Sequence, residues 1–298
     1  MIRQGPVDLH THGIGRYDTR TGDPGDILRI AEIHAVAGTA AILPAIYPGP
    51  VAQMRTSMEA VRRAMQIQAA RKRAGGEAAG PGGDGLRLGA RILGLHLEGP
   101  FLNPARCGAL AKEFFLRPGL SSLKELVSGY EDIIKIITIA PELPGGLKVI
   151  ERCRTLGIRV NMGHSDATYR EALDGKRAGA TGITHLFNAM RPFHHREPGL
   201  AGLGLVDEEL YIEVIADRVH LHPLTLELIF NRKRLDRIIL VSDSVKNAGR
   251  KGSPVYKEGV LAGSGISLSG AFEVLGGIGV PEAEISEAAA DNPVRYLS

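Results

Sequence analysis

Arg91-Ile92-Leu93-Gly94-Leu95-His96-Leu97-Glu98-Gly99-Pro100 starts as a buried strand, reaches a carboxylate, and is then broken by two residues that no strand ladder tolerates. A carboxylate taken out of water needs a cation, a set of donors or a proton. Glu98 is therefore either paired with an arginine or with backbone amides, or it is a metal ligand or catalytic acid at the carboxyl end of a barrel strand. The rest of the chain decides between the two.

Seven further apolar segments read as strands: 6–13, 39–46, 133–140, 158–162, 181–184, 211–215 and 237–241. Between them lie helical patterns over 26–37, 51–72, 121–127, 147–156 and 169–178, and another starting near Pro223, several of them stopped by a glycine such as Gly38, Gly157 or Gly179. Gly75 to Gly85 reads as a flexible loop, Phe101 to Gly119 as a long functional loop, and Leu261 to Gly270 as a Gly/Ser-rich turn followed by short helices. Eight strands alternating with helices predict an α/β fold, a (β/α)8 TIM barrel formed by one domain over residues 1–298. Polar residues follow strands one, three, five, six, seven and eight, and a barrel brings all those ends to one face. A doubly wound sheet would not gather strands one and eight so readily.

Composition narrows the class. The chain has 298 residues, 44% hydrophobic and 23% charged, with net charge +3 and both signs interspersed. That excludes a disordered or fibrous protein and argues against nucleic acid or a membrane as partner. No apolar run approaches the ~18 residues a membrane span needs, and Met1 to Pro6 lacks the apolar centre of a signal peptide. Two cysteines, Cys107 and Cys153, match a reducing cytoplasm.

The rim carries the chemistry. Glu98, His164 and His185 offer a carboxylate and two imidazoles, a set suited to zinc or another first-row divalent ion, with a coordination position left open. The strand period places His10 and His12 on one side with Asp8 in line. This pair would bind a second ion with Glu98 bridging, or hydrogen-bond around the first. Asp243, closing strand eight, stands where it would take a proton from water and give it to a leaving nitrogen.

These residues carry a resemblance. The segments Val7–Gly13, Gly94–Asn103, Thr138–Glu142, Gly163–Ser165 with Ala167-Thr168, Thr184–Met190, Arg196–Gly202, and Ile215–Asp217 with His220 follow one another across nearly the whole chain. In them the sequence resembles the amidohydrolase superfamily and, within it, the N-acetylglucosamine-6-phosphate deacetylase family; His-Leu-Glu-Gly-Pro, His-Leu-Phe-Asn-Ala-Met and Arg-Glu-Pro-Gly-Leu-Ala-Gly are its specific pieces. The resemblance implies a metal-dependent hydrolase barrel that removes the acetyl group of N-acetyl-D-glucosamine 6-phosphate, with one or two ions per subunit, zinc first and iron as the alternative. Glu98, His164 and His185 would be the metal ligands, with His10 and His12 available for a second ion, and Asp243 the general base and acid. Asn188, Ala189 through its backbone, Arg196 and His220 would hold the sugar phosphate, with Ala109 and the turn Leu261-Ala262-Gly263 also touching the substrate. A homodimer is implied, because the family arginine matched by Arg196 reaches the neighbour's site.

Three departures qualify it. The family's small β-sandwich, built from both termini, is expected to be missing, so that the barrel base should be polar or covered by a partner. Leu110 stands where many relatives carry a histidine, and the strand-eight motif reads Ser242-Asp243-Ser244 in place of a Thr-Asp-Ala form. The alternatives are a deacetylase of the galacto epimer or of another N-acyl amine, and a non-catalytic barrel that binds sugar phosphate.

Overall fold

Strands separated by helices pair in parallel, and here they do so in chain order. A computed structural model describes residues 5–74, 89–247, 255–257 and 259–298, so the first four residues and the Gly-rich 75–85 stretch lie outside it. Strands β1 (Val7–Thr11), β2 (Ala41–Ile46), β3 (Leu95–Glu98), β4 (Ile134–Ile139), β5 (Arg159–Met162), β6 (Gly182–Ile183), β7 (Tyr211–Val214) and β8 (Ile238–Leu240) form one sheet, each bonded to the next. The seam between β8 and β1 closes just above the ladder. The Asp243 amide donates to the His10 carbonyl at 2.9 Å and the His12 amide to the Ser244 carbonyl at 2.8 Å. Below them the Asp8 carboxylate takes the Ser242 amide at 3.1 Å and its hydroxyl at 2.5 Å. Burial pushes the Asp8 carboxyl up to about 6, even though those bonds favour its ionised form.

The helices cover the outside: α1 (Pro24–Val36), α2 (Val51–Arg73), α3 (Leu120–Val127), α4 (Gly146–Thr155), α5 (Tyr169–Ala178), α6 (Gly199–Val206) and α7 (Pro223–Arg232), followed by α8 (Leu268–Gly277), α9 (Glu282–Ser286) and α10 (Asn292–Leu297). The start of α5 is a capping box, with Thr168 and Glu171 each bonding the other's backbone amide.

Three elements differ from the sequence expectation. The run leading to Glu98 is two strands: Arg91–Ile92 pairs with β2, and the chain breaks at Gly94 before β3 begins. Gly94 has φ +144°, and a Cβ there would lie 2.4 Å from the Ile133 carbonyl oxygen, so only glycine makes this step. Helix α6 has no amphipathic period because Gly199 to Leu205 is buried on every side. The stretch expected as a Gly/Ser-rich turn from Leu261 contains a strand, Val260–Gly263, paired antiparallel with Val255–Lys257, and then the start of α8.

The base of the barrel is covered from within the chain; among the described residues there is no β-sandwich. Helix α10 lies under it, with Tyr296 only 3% exposed and packed against lower interior residues such as Val7, Leu9, Ala41 and Ile239. Asn292 anchors this helix by donating to the carbonyls of Leu235 and Ile238, at 2.7 and 2.8 Å.

One buried titratable group gives the fold a pH signature. His34 of α1 is fully buried, bonds Thr11 Oγ1 at 3.0 Å, and is driven down to about 4 by burial. A histidine held below its unfolded value of about 6.5 adds stability that is complete above that pH and is lost as pH falls toward the folded value, on the order of 3 kcal/mol in all. In urea titrations at several pH values, His34→Gln should therefore flatten the loss of stability between pH 6.5 and 4. A slope equal to the wild type's would show that His34 is not its source.

Candidate active site at the mouth of the barrel

Every polar side chain flagged at a strand's carboxyl end lies at the same opening. β1 delivers His10 and His12, β3 Glu98, the turns after β5 and β6 deliver His164 and His185, and the turn after β8 Asp243. His164, His185 and Asp243 have φ values of 46°, 30° and 47°. Left-handed backbone at a residue with a side chain costs on the order of 1–3 kcal/mol, and such strain concentrates where a side chain must be aimed.

The donor atoms converge on Glu98, which is 3% exposed. Its Oε1 lies 3.1 Å from His164 Nε2 and 3.2 Å from His185 Nε2, and its Oε2 lies 3.1 Å from His12 Nε2. Asp243 Oδ1 stands 3.8 and 3.7 Å from the Nε2 atoms of His10 and His12. Two groups at the rim could each hold an ion, Glu98–His164–His185 and His10–His12–Asp243.

The far nitrogens settle which atoms face inward. His164 Nδ1 lies 2.9 Å from the Arg106 carbonyl and His12 Nδ1 3.0 Å from the Ala45 carbonyl. A carbonyl only accepts, so both rings donate from Nδ1 and a neutral ring turns a bare Nε2 lone pair inward. His10 Nδ1 does the same toward Glu213 Oε2 at 3.2 Å, while the buried Nδ1 of His185 has no hydrogen-bond partner. Lone pairs crowded on a buried carboxylate repel unless positive charge lies among them. Burial by itself would raise Glu98, but positive charge beside it, as on His12 and His164 when protonated, holds it well below the usual carboxylate range. The donor set fits a divalent cation.

A pocket of about 550 Å³ opens over this cluster. Asn188, Ala189, Ala109, His220 and Leu261-Ala262-Gly263 line it as expected, and Leu110 stands in the wall. Arg196 does not. It is exposed on the loop after Met190 and lies outside the wall, because that loop runs over the outer surface before α6. The cationic side chains that do line the pocket, Arg20, Lys246 and Lys257, carry no sequence signal that separates them from ordinary surface charge. His220 donates from Nδ1 to Asp217 Oδ2 at 2.7 Å. Burial opposes its charge, but the Asp217 bond and nearby Asp243 outweigh it and hold His220 above the ordinary imidazole value.

Sequence reasoning also passed over Glu213, His96 and Tyr47. Tyr47 stacks on His12 with ring centres 3.8 Å apart. Glu213 sits inside Ile212-Glu213-Val214, an isolated carboxylate in an apolar strand, and the test applied to Glu98 would have found it. Outside the wall, Glu142 ties the rim together, accepting from Asn103 at 2.8 Å, Ser165 at 2.7 Å and the Asp166 amide at 2.6 Å.

Known proteins share this fold. No family model matches the chain. An Escherichia coli O157:H7 protein named N-acetylgalactosamine-6-phosphate deacetylase is 30% identical over 98% of this chain and 76% of its own length. The chain belongs to the N-acetylglucosamine-6-phosphate deacetylase family of the amidohydrolases. A Bacillus subtilis N-acetylglucosamine-6-phosphate deacetylase is 40% identical over 63% of this chain, and the match spans 46% of that relative's length. The solved deacetylase from Thermotoga maritima, 26% identical, superposes with a TM-score of 0.84 over 99% of this chain and 78% of its own. A Mycobacterium smegmatis variant solved in complex with N-acetyl-D-glucosamine-6-phosphate is 28% identical, with a TM-score of 0.80 over 99% of this chain and 77% of that one. Deacetylases of this family therefore share the barrel over its full described extent.

Replacing His164 with Ala should leave the fold intact and lower divalent metal content, measured by mass spectrometry of the purified, dialysed protein. Wild-type metal content in that variant would remove His164 from the ligand set.

Proposed function

We propose that the chain hydrolyses the N-acetyl group of N-acetyl-D-glucosamine 6-phosphate, giving glucosamine 6-phosphate and acetate. The observation that carries this is the facing of inward imidazole lone pairs and Glu98 by Asp243 beneath a pocket large enough for a sugar phosphate. Glu98, His164 and His185 would hold a zinc ion, with iron as the alternative, and His10 and His12 with Asp243 supply donors for a second. When bound, such an ion supplies Lewis acidity to the amide carbonyl and lowers the pKa of water.

The chain's own residues do the rest. Asp243 accepts the proton of the attacking water and returns it to nitrogen as the C–N bond breaks, so that the amine and acetate leave. His220, its Nδ1 held by Asp217, presents Nε2–H to the carbonyl or to the sugar beside it in the protonated form that Asp217 and Asp243 favour. Ala189 and Asn188 on the turn after β6, with Ala109 and Leu261 to Gly263 opposite, would hold the sugar. Arg196, outside its own pocket, would bind phosphate in the neighbouring subunit of a homodimer, where its planar guanidinium pairs phosphate oxygens. Two free cysteines support a cytoplasmic enzyme, and among the described residues no helix is long and apolar enough to cross a membrane.

A second reading is the galacto epimer, favoured by Leu110 in the pocket wall and by the name of the Escherichia coli relative. Acetate release from both epimers by metal-loaded protein separates the two, and no turnover of either would overturn the deacetylase assignment. Asp243→Asn should keep the ion held by Glu98, His164 and His185 and lose about 10²–10⁴-fold in kcat; near-normal turnover would remove Asp243 from its role. Arg196→Ala should raise KM for the phosphorylated sugar, and an equal loss with the unphosphorylated sugar would contradict phosphate binding.

A further inference from the structure

Beneath the rim the barrel interior is polar, and its hydrogen bonds have one direction. His10, His96 and Glu213 bring donor atoms together, all buried. They do not read as another ion site, because His96 has committed both nitrogens. Its Nδ1 donates to the Leu9 carbonyl at 3.2 Å, and its Nε2 lies 2.8 Å from Thr138 Oγ1, which in turn is 2.7 Å from Thr184 Oγ1. Glu213 remains, and it accepts on both oxygens.

Because an ionised carboxylate only accepts, its neighbours are determined in turn. His10 must offer Nδ1–H to Oε2, at 3.2 Å, and Asn161 must offer its amide NH2 to Oε1, at 2.8 Å. That leaves Asn161 Oδ1 as an acceptor, filled by the Tyr296 hydroxyl at 2.5 Å. Tyr296 has then spent its one proton and accepts from Thr181 Oγ1 at 3.0 Å. Space for this chain is made by Gly182 of β6, where a Cβ would lie 2.3 Å from Asn161 Oδ1 and 2.8 Å from the Tyr296 oxygen. The series runs from α10 at the base to His10, whose Nε2 is 3.1 Å from His12 Nε2 and 3.5 Å from Glu98 Oε1.

We propose that Glu213 is a positioning residue that fixes His10 as the Nδ1–H tautomer, and that Asn161 and Tyr296 fix Glu213, so that the C-terminal helix sets the donor state of the His10–His12 pair. This rests on the metal reading of the site above. A carboxylate behind a metal-facing imidazole orients the ring and raises its basicity, and its loss typically costs about 10–100-fold in metal affinity or activity. A glutamine at 213 would keep the Asn161 bond through its oxygen and turn its NH2 toward His10, which reverses the tautomer and puts a hydrogen where the ligand lone pair stood.

Zinc is the probe, on the full chain stripped with a chelator and reloaded. Glu213→Gln should bind zinc about 10–100-fold more weakly in competition with a chromophoric chelator, and the zinc-loaded variant should lack the slowly exchanging His10 Nδ1 proton in its imidazole 15N spectrum. Tyr296→Phe, which removes one oxygen and keeps the packing, should move both readouts the same way by a smaller factor. A purely structural role would lower the melting temperature of folded variants and leave zinc affinity and the His10 resonance unchanged, which overturns the proposal. If Glu213→Gln does not fold, Tyr296→Phe decides by the same two measurements. A wild type that takes up no zinc overturns the metal reading and this inference with it, whereas a zinc-binding wild type matched by both variants overturns the inference alone.

Discussion

The structure depends on one crowded point, the buried carboxylate of Glu98 facing the Nε2 atoms of His12, His164 and His185. Acceptors behind His12 and His164 prevent these two rings from relieving the crowding by rotation or a change of tautomer, since Ala45 and Arg106 offer carbonyls that only accept. A cation among these donors would convert mutual repulsion into attraction. The arrangement is prepared for charge and is costly without it.

Most of the fold serves to hold that point still. The seam between β1 and β8 is closed at the residues proposed for the chemistry, so the segments of His10, His12 and Asp243 are held to one another by backbone bonds before any ligand binds. Glu142 ties the turns after β3 and β5, and the Arg106 side chain pairs with Asp166 across the same gap at 2.6 Å. Left-handed backbone at His164, His185 and Asp243 is tolerated because both flanks are locked into the barrel. The base is sealed by α10: the lower interior meets Tyr296, Val294 and Leu297 of the chain itself, where a polar base or a partner was expected.

Much of this was legible from residue order. Isolated polar residues at the ends of apolar strands marked Glu98, His164, His185 and Asp243, since a polar group closing a buried run must be met there by a cation or a set of donors. Glu213 obeys the same logic and was missed because it lies inside its strand. Helix α6 was missed for lack of a polar face, and the short hairpin before α8 because its three- and four-residue strands are too brief for an alternation to register. Arg196 marks another limit: its motif identified the family, but a motif does not say whether a side chain points into its own pocket or away from it.

By itself, then, the sequence determined the eightfold alternation, the parallel barrel and the residue types on the rim, because periodicity and burial are local properties that each segment carries alone. Only the tertiary structure decided which nitrogen of each histidine faces inward, that Glu98 turns one oxygen to each side, and that a tyrosine at the C-terminus is linked through Asn161 and Glu213 to His10. Those are matters of tenths of an ångström between residues as much as 203 positions apart, as for His10 and Glu213. Strand order and stagger set them, and no window of the chain contains that information.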